Sequence, residues 1–191
     1  MIFGKKSIQD ILNNKKSQTR RLVKEGEIGP GDFGNSVMIL KNNIYPGRIK
    51  WQVGKSYAVC PGRGKKGLLY CPKCYSISAY SKEVWCAIKK NHKEEIKMKP
   101  LRVVIKSIRK EMLLDISEVD AKKEGYSHSR EFISAFANIN LKELKKLGLK
   151  VLSKEEALES GCDPLRAAHA PIFDFEKCNP FVWRIEFEVM K

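Results

Sequence analysis

Cys71-Pro72-Lys73-Cys74 is the sharpest chemical feature of the sequence. Two residues between two cysteines let both thiolates point at one tetrahedral ion, and a closed structural site then needs two more ligands. Ten residues separate Cys60 from Cys71, and eleven separate Cys74 from Cys86. The spacing therefore predicts a structural zinc on Cys60, Cys71, Cys74 and Cys86, with His92 as the alternative fourth ligand. Such an ion would staple a segment too small and polar to build its own core. The competing reading is a set of unligated thiols in a reducing compartment. A redox role lacks its usual βαβ context. Cys162 and Cys178 read as core thiols, with a second metal site using His169 as the alternative.

A second feature is Pro61-Gly62-Arg63-Gly64-Lys65-Lys66. Glycines on both sides of Arg63 let the backbone approach a ligand while the guanidinium is presented to it. Arg63, Lys65 and Lys66 are candidate phosphate contacts; the alternative is a plain basic turn. Gly54-Lys55-Ser56 has the end of a P-loop, but Ile49 stands where the first glycine belongs, so nucleoside triphosphate hydrolysis is not indicated. Tyr70, Tyr75, Tyr80 and Trp85 lie among lysines, a texture suited to stacking bases and tracking a backbone, or else to packing a small segment.

The whole chain points the same way. Its 191 residues carry 37 Lys and Arg against 22 Asp and Glu, a net charge of +15. That excess favours a polyanionic partner, because cations that meet phosphates release counterions. RNA or a ribonucleoprotein is the expected partner, met by a monomer. Met1-Ile2-Phe3-Gly4 runs into Lys5-Lys6-Ser7 with no apolar leader behind it. No stretch approaches a membrane span. A cytoplasmic location with no membrane partner is expected.

The elements that must position these residues alternate between strands and helices. Ser7, as N-cap with Asp10 three residues on, predicts a helix with Ile8, Ile11 and Leu12 on one face, ended by Asn13-Asn14. Lys15 to Val23 is a loop or the start of a strand. Strands follow at 36–40, 48–53 and 56–59. A long strand covers 101–109, and Phe181 to Val189 closes the chain. Ser117 caps a helix that stops at Gly125, and a second helix covers 129–139. Short helices are expected at 142–148 and 154–159. Trp183 and Phe187 read as core. The order predicts an α+β fold with a closed or partly closed barrel.

Three pieces resemble the ASCH domain, a relative of the PUA fold. The first is Ile11-Leu12-Asn13-Asn14-Lys15-Lys16-Ser17-Gln18-Thr19-Arg20-Arg21, which matches an opening helix followed by Lys-x-x-Thr-x-Arg. The second runs from Asp115-Ile116-Ser117 to Asp120-Ala121-Lys122-Lys123-Glu124-Gly125. The third is Asn179-Pro180-Phe181-Val182-Trp183-Arg184-Ile185-Glu186-Phe187. Gly54-Lys55-Ser56-Tyr57-Ala58-Val59 fits the strand between them. The resemblance covers roughly 1–66, 100–140 and 177–191. It implies one ASCH/PUA-like domain over 1–191, a small β-barrel with flanking helices. A Cys-rich insertion at 67–99 and a helical one at 141–177 would interrupt it.

The resemblance also implies a cleft. In ASCH proteins that hydrolyse acetylated cytidine, the working positions correspond here to Lys16, Thr19 and Glu124. A lysine in a dry cleft can act as base toward a threonine hydroxyl, and a carboxylate can orient the pair. Lys16, Thr19, Arg20 and Arg21 would face a nucleotide, with Arg21 presenting a planar fork of donors. The ordinary alternative for 15–21 is a solvated polar run. Fold likeness does not transfer activity, so the first expectation is RNA binding. The rivals are an amidohydrolase on 4-acetylcytidine-type nucleosides, an ASCH-type ribonuclease, and a ribonucleoprotein-associated interaction module.

Overall fold

The apolar positions of the long strand Arg102–Met112 do not keep step. Val103, Ile105 and Ile108 are all buried, at spacings of two and then three. A flat strand could not turn all three to one face. The register shows how the chain manages it. Ser107 pairs with Glu186 and Ile105 with Phe187, so Lys106 is left over as a β-bulge. Its ammonium turns outward to Glu188 at 2.5 Å.

A computed structural model describes residues 1–30, 34–41, 44–61, 67–75, 77–79, 97–159, 172–175 and 178–190. It is mixed α+β, with a curled antiparallel sheet forming a half-barrel and a few helices. The chain runs through α1 (Lys5–Leu12), β1 (Gln18–Leu22), β2 (Glu27–Ile28), β3 (Ser36–Lys41), β4 (Ile44–Gln52) and β5 (Ser56–Ala58). Then come β6 (Leu68–Tyr70), β7 (Ile77–Ala79), β8 (Lys99–Pro100) and β9 (Arg102–Met112). After them follow α2 (Glu118–Lys123), α3 (Ser129–Ile139), α4 (Leu141–Lys146), β10 (Lys150–Leu152), α5 (Lys154–Glu159), β11 (Ile172–Asp174) and β12 (Phe181–Met190). The central sheet has the order β1-β12-β9-β5, and β2-β3-β4 forms a second sheet. No described helix is long and apolar enough to cross a membrane.

Each face of the central sheet is covered. Trp183 and Ile185 of β12 join Ile105 and Ile108 of β9 with Val37 and Trp51 of the second sheet. Further along this side, Phe187 and Val103 pack with Phe3, Ile8, Ile11 and Leu12. On the other face Leu22 and Val182 meet Phe132, Phe136 and Ala137 of α3, with Leu144 of α4 behind them. Cys178 is a buried thiol in this second core. Cys162 and His169 lie outside the described residues.

Three expectations change in detail. The first helix starts at Lys5, with Gly4 and not Ser7 at its N-cap. Phe3 is buried against Ile8, Ile11 and Leu12, and its N–H bonds the Cys60 carbonyl at 2.9 Å. That anchor fixes the entry to the helix upstream of Ser7. The segment at 141–177 holds short helices but also an antiparallel pair, β10 with β11. In the Cys-rich segment, β6 is fully buried and pairs with β7 and β8. Leu68 and Tyr70 belong to the main core, while Leu69, Cys71 and Met98 form a small cluster. Tyr75 is partly exposed; Tyr80 and Trp85 lie outside the described residues.

Gly29 marks the tightest approach in the second sheet's approach to β12. A Cβ built there would lie 1.9 Å from the Trp183 ring. The indole N–H of that ring donates to Glu27 Oε2 at 2.9 Å, so the ring cannot tilt away without breaking a bond. Gly29→Ala is therefore expected to destabilise the fold by about 1–3 kcal/mol, the usual cost of overpacking. Urea unfolding followed by tryptophan emission checks this, and an unchanged midpoint would contradict the contact.

Candidate functional site

Asp120 and Glu124 stand four residues apart at α2, so two like charges share one helix face. An acid at a helix C-terminus also opposes the helix dipole. The fold answers both with cations from other elements. Ser117 starts the helix, its hydroxyl accepting from the Asp120 N–H at 3.1 Å. Gly125, at φ 87, ends it. The loop before β1 then returns beside that end. The Ser17 N–H bonds the Lys123 carbonyl at 3.0 Å, and Lys16 Nζ donates to both the backbone carbonyl and Oε2 of Glu124, each at 2.7 Å. Lys16 is thus a cationic cap on the C-terminus of α2.

Lys16 is 4% exposed and Glu124 3%. Burial pushes the Lys16 ammonium below its ordinary range, and the facing Glu124 carboxylate opposes that shift. Burial likewise pushes the Glu124 carboxyl up, against the pull of Lys16 and Arg20. The pair is held together where neither charge would stand alone.

Arg20 extends the pair into a network. Its side chain has no exposed surface. Nε donates to Glu111 Oε1 at 2.6 Å, Nη1 to Glu124 at 3.3 Å and Nη2 to Asp120 at 3.4 Å. The guanidinium also lies 5.6 Å from the centre of the Phe132 ring. Gln18, oriented to satisfy both neighbours, accepts from Arg20 and donates to Asp120. Next along the sheet, Arg184 reaches Asp120 at 3.1 Å and Glu186 at 2.6 Å, and Ser107 donates to Glu186 at 2.8 Å. Alternation along β1 puts Gln18 and Arg20 on the face covered by α2 and α3.

Arg21 points the other way and opens onto a cleft. It lies over the Phe3 ring at 5.6 Å and donates to the Ile2 carbonyl. The cleft has a volume of about 390 Å³, and among the described residues it is lined by Met1, Ile2, Arg21, Leu22, Lys24, Lys50, Trp51, Asn140 and Glu143. Lys50 Nζ sits 4.0 Å from the centre of the Trp51 ring and is tied to Glu27. Glu27 also accepts from the Lys24 N–H at 3.3 Å, so one carboxylate anchors both basic residues of this wall.

The residues expected to act together are therefore divided. Lys16 and Glu124 meet, although 108 positions apart. Arg20 joins them inside, where contact with a phosphate would require the network to open. Thr19 is buried opposite Ile185, and no hydrogen bond joins it to Lys16 or Glu124. Arg21 alone of this run lines the cleft. Lys24, Lys50 and Trp51 were not singled out by sequence; a lysine beside a tryptophan on an amphipathic strand was the available signal. Arg63, Lys65 and Lys66 lie outside the described residues, as do Cys86 and His92. Cys71 is buried, and Cys60 and Cys74 are half-buried. Among the described residues no group of three or more His, Cys, Asp or Glu side chains is placed to hold a metal. No family model, curated protein or solved structure matches the chain.

Breaking the buried pair from one side tests its weight. Lys16→Met leaves Glu124 buried with Arg20 as its remaining cation, and is expected to cost about 3 kcal/mol. Lys16→Met combined with Glu124→Leu is expected to recover most of that loss. Urea midpoints of the two variants decide it; equal midpoints would mean that the charges are not coupled.

Proposed function

We propose that this chain binds RNA through the cleft at Arg21, Lys24, Lys50 and Trp51. The observation that carries this reading is three cationic side chains around one concave surface beside an indole, in a chain of net charge +15. Cations supply phosphate contacts and an aromatic edge supplies an apolar surface for a base or sugar. The resemblance to ASCH and PUA-like domains implies a nucleotide cleft along the first motif, and of that motif Arg21 is the residue that lines this one. The buried network behind β1 then acts as the support that fixes Arg21 at the rim. Amide hydrolysis receives less support, because the Thr19 hydroxyl is not bonded to the Lys16–Glu124 pair.

The test is the salt dependence of affinity for a short single-stranded RNA. Each phosphate contact contributes about 0.7 to the slope of log affinity against log salt on single strands. Replacing Arg21, Lys24 and Lys50 together by alanine is expected to lower the slope by roughly 2 and to weaken binding at all sequences. An unchanged slope, or equal affinity for heparin, would reject the cleft as the RNA site.

The Cys71–Cys74 turn supports a structural zinc as a second feature. The Tyr75 N–H bonds the Cys71 carbonyl at 2.9 Å, and Tyr75 adopts φ 56. A left-handed tyrosine is uncommon, and here it closes the turn that carries the two cysteines. Metal analysis of the purified full chain is expected to give about one zinc per chain, lost in Cys71→Ser with Cys74→Ser. A zinc content near zero in the unaltered chain would end this reading.

A further inference from the structure

We infer that the cleft selects guanine among the nucleobases; this rests on the cleft being a nucleotide site. Its two walls differ in chemistry. One carries the cations Arg21, Lys24 and Lys50; the other, at the junction of α3 and α4, carries Asn140 and Glu143. These two offer acceptors. Asn140 anchors its amide nitrogen on the Phe136 carbonyl at 2.9 Å, so the amide oxygen is its acceptor. Glu143 is a carboxylate, and a carboxylate accepts only. Its ion pair with Lys146 is an exposed one at 3.7 Å, a kind that contributes little and yields readily to a better donor. The Glu143 N–H bonds the Asn140 carbonyl at 3.0 Å, so the two side chains are held one turn apart.

A phosphate belongs on the cationic wall, which places the base toward the acceptor wall. Guanine is the base whose Watson–Crick edge offers two adjacent donors, N1–H and the N2 amino group. A carboxylate can take both at once. Adenine and cytosine set an acceptor beside their one amino group, and uracil sets carbonyl oxygens on both sides of its N–H. Each of these turns an acceptor toward Glu143 and leaves it without a second donor. The cleft's volume of about 390 Å³ falls in the range of small-ligand sites.

The experiment is calorimetric titration of the full chain with GMP, IMP, AMP, CMP and UMP. Inosine keeps N1–H but lacks the N2 amino group, so IMP isolates one of the two bonds. GMP is expected to bind about tenfold tighter than IMP or AMP, the size of one bidentate base contact. Glu143→Gln, which sets a donor where an acceptor stood, is expected to erase the difference. Arg21→Ala is expected to weaken all five alike. If all five bind equally and still depend on Arg21, the guanine inference falls while the nucleotide cleft stands. If a preference for GMP survives Glu143→Gln, the inference falls as well. If no nucleotide binds, or if Arg21→Ala changes nothing, the cleft reading itself falls.

Discussion

Arg20 is a permanently charged side chain with no exposed surface, and the sheet, the helix and the loop around it are arranged to keep it satisfied. Its partners come from β9, from α2 and from the residue at the end of that helix. Lys16 and Arg184 bring further cations from the loop and from β12. Such a layer adds little net stability compared with apolar packing, because desolvation offsets most of the Coulomb gain. Its effect lies in geometry. A slip of β1 by one residue would set Thr19 or Arg21 before the carboxylates and drive Arg20 into the apolar core. The network thus fixes the register of the edge strand, and through it the placement of Arg21 at the cleft.

This arrangement also accounts for the unusual economy of α2. At six residues it is too short to be stable alone. It begins on a serine cap and ends on a lysine drawn from a distant loop. Between the two, Ala121 packs into the core while Asp120 and Glu124 face the sheet's cations. The helix serves as a carrier of two carboxylates.

Much of the fold was legible in the sequence. The 129–139 helix and the closing strand show clear periodicity, the long strand reads from its β-branched run although its alternation is broken, and the Ser117 cap and Gly125 stop bracket α2 as their chemistry requires. The pairing of Lys16 with Glu124 came through the ASCH resemblance, since nothing local links positions 108 apart. The burial of Arg20 was not legible. A charged residue in a polar run reads as surface unless its partners are known, and those partners sit on three other elements. The signal was indirect: two acids spaced i and i+4 at α2, and alternating charges on β12, both call for cations facing them. The cleft was harder still. It forms where a strand edge meets a helix junction, and residues from 21 to 143 share it only after the chain has folded.

The bulge at Lys106 gives this chain an asymmetry between two kinds of sequence change. Exchanging the side chain at 106 alters one exposed ion pair. Deleting the residue would instead remove the bulge itself: Val103, Ile105 and Ile108 would fall at even spacings of two and stay on one face, opposite the same partners. What the strand would lose is the local bend and added twist that a bulge gives. Identity at this position is therefore nearly free, while length sets the curl of the sheet.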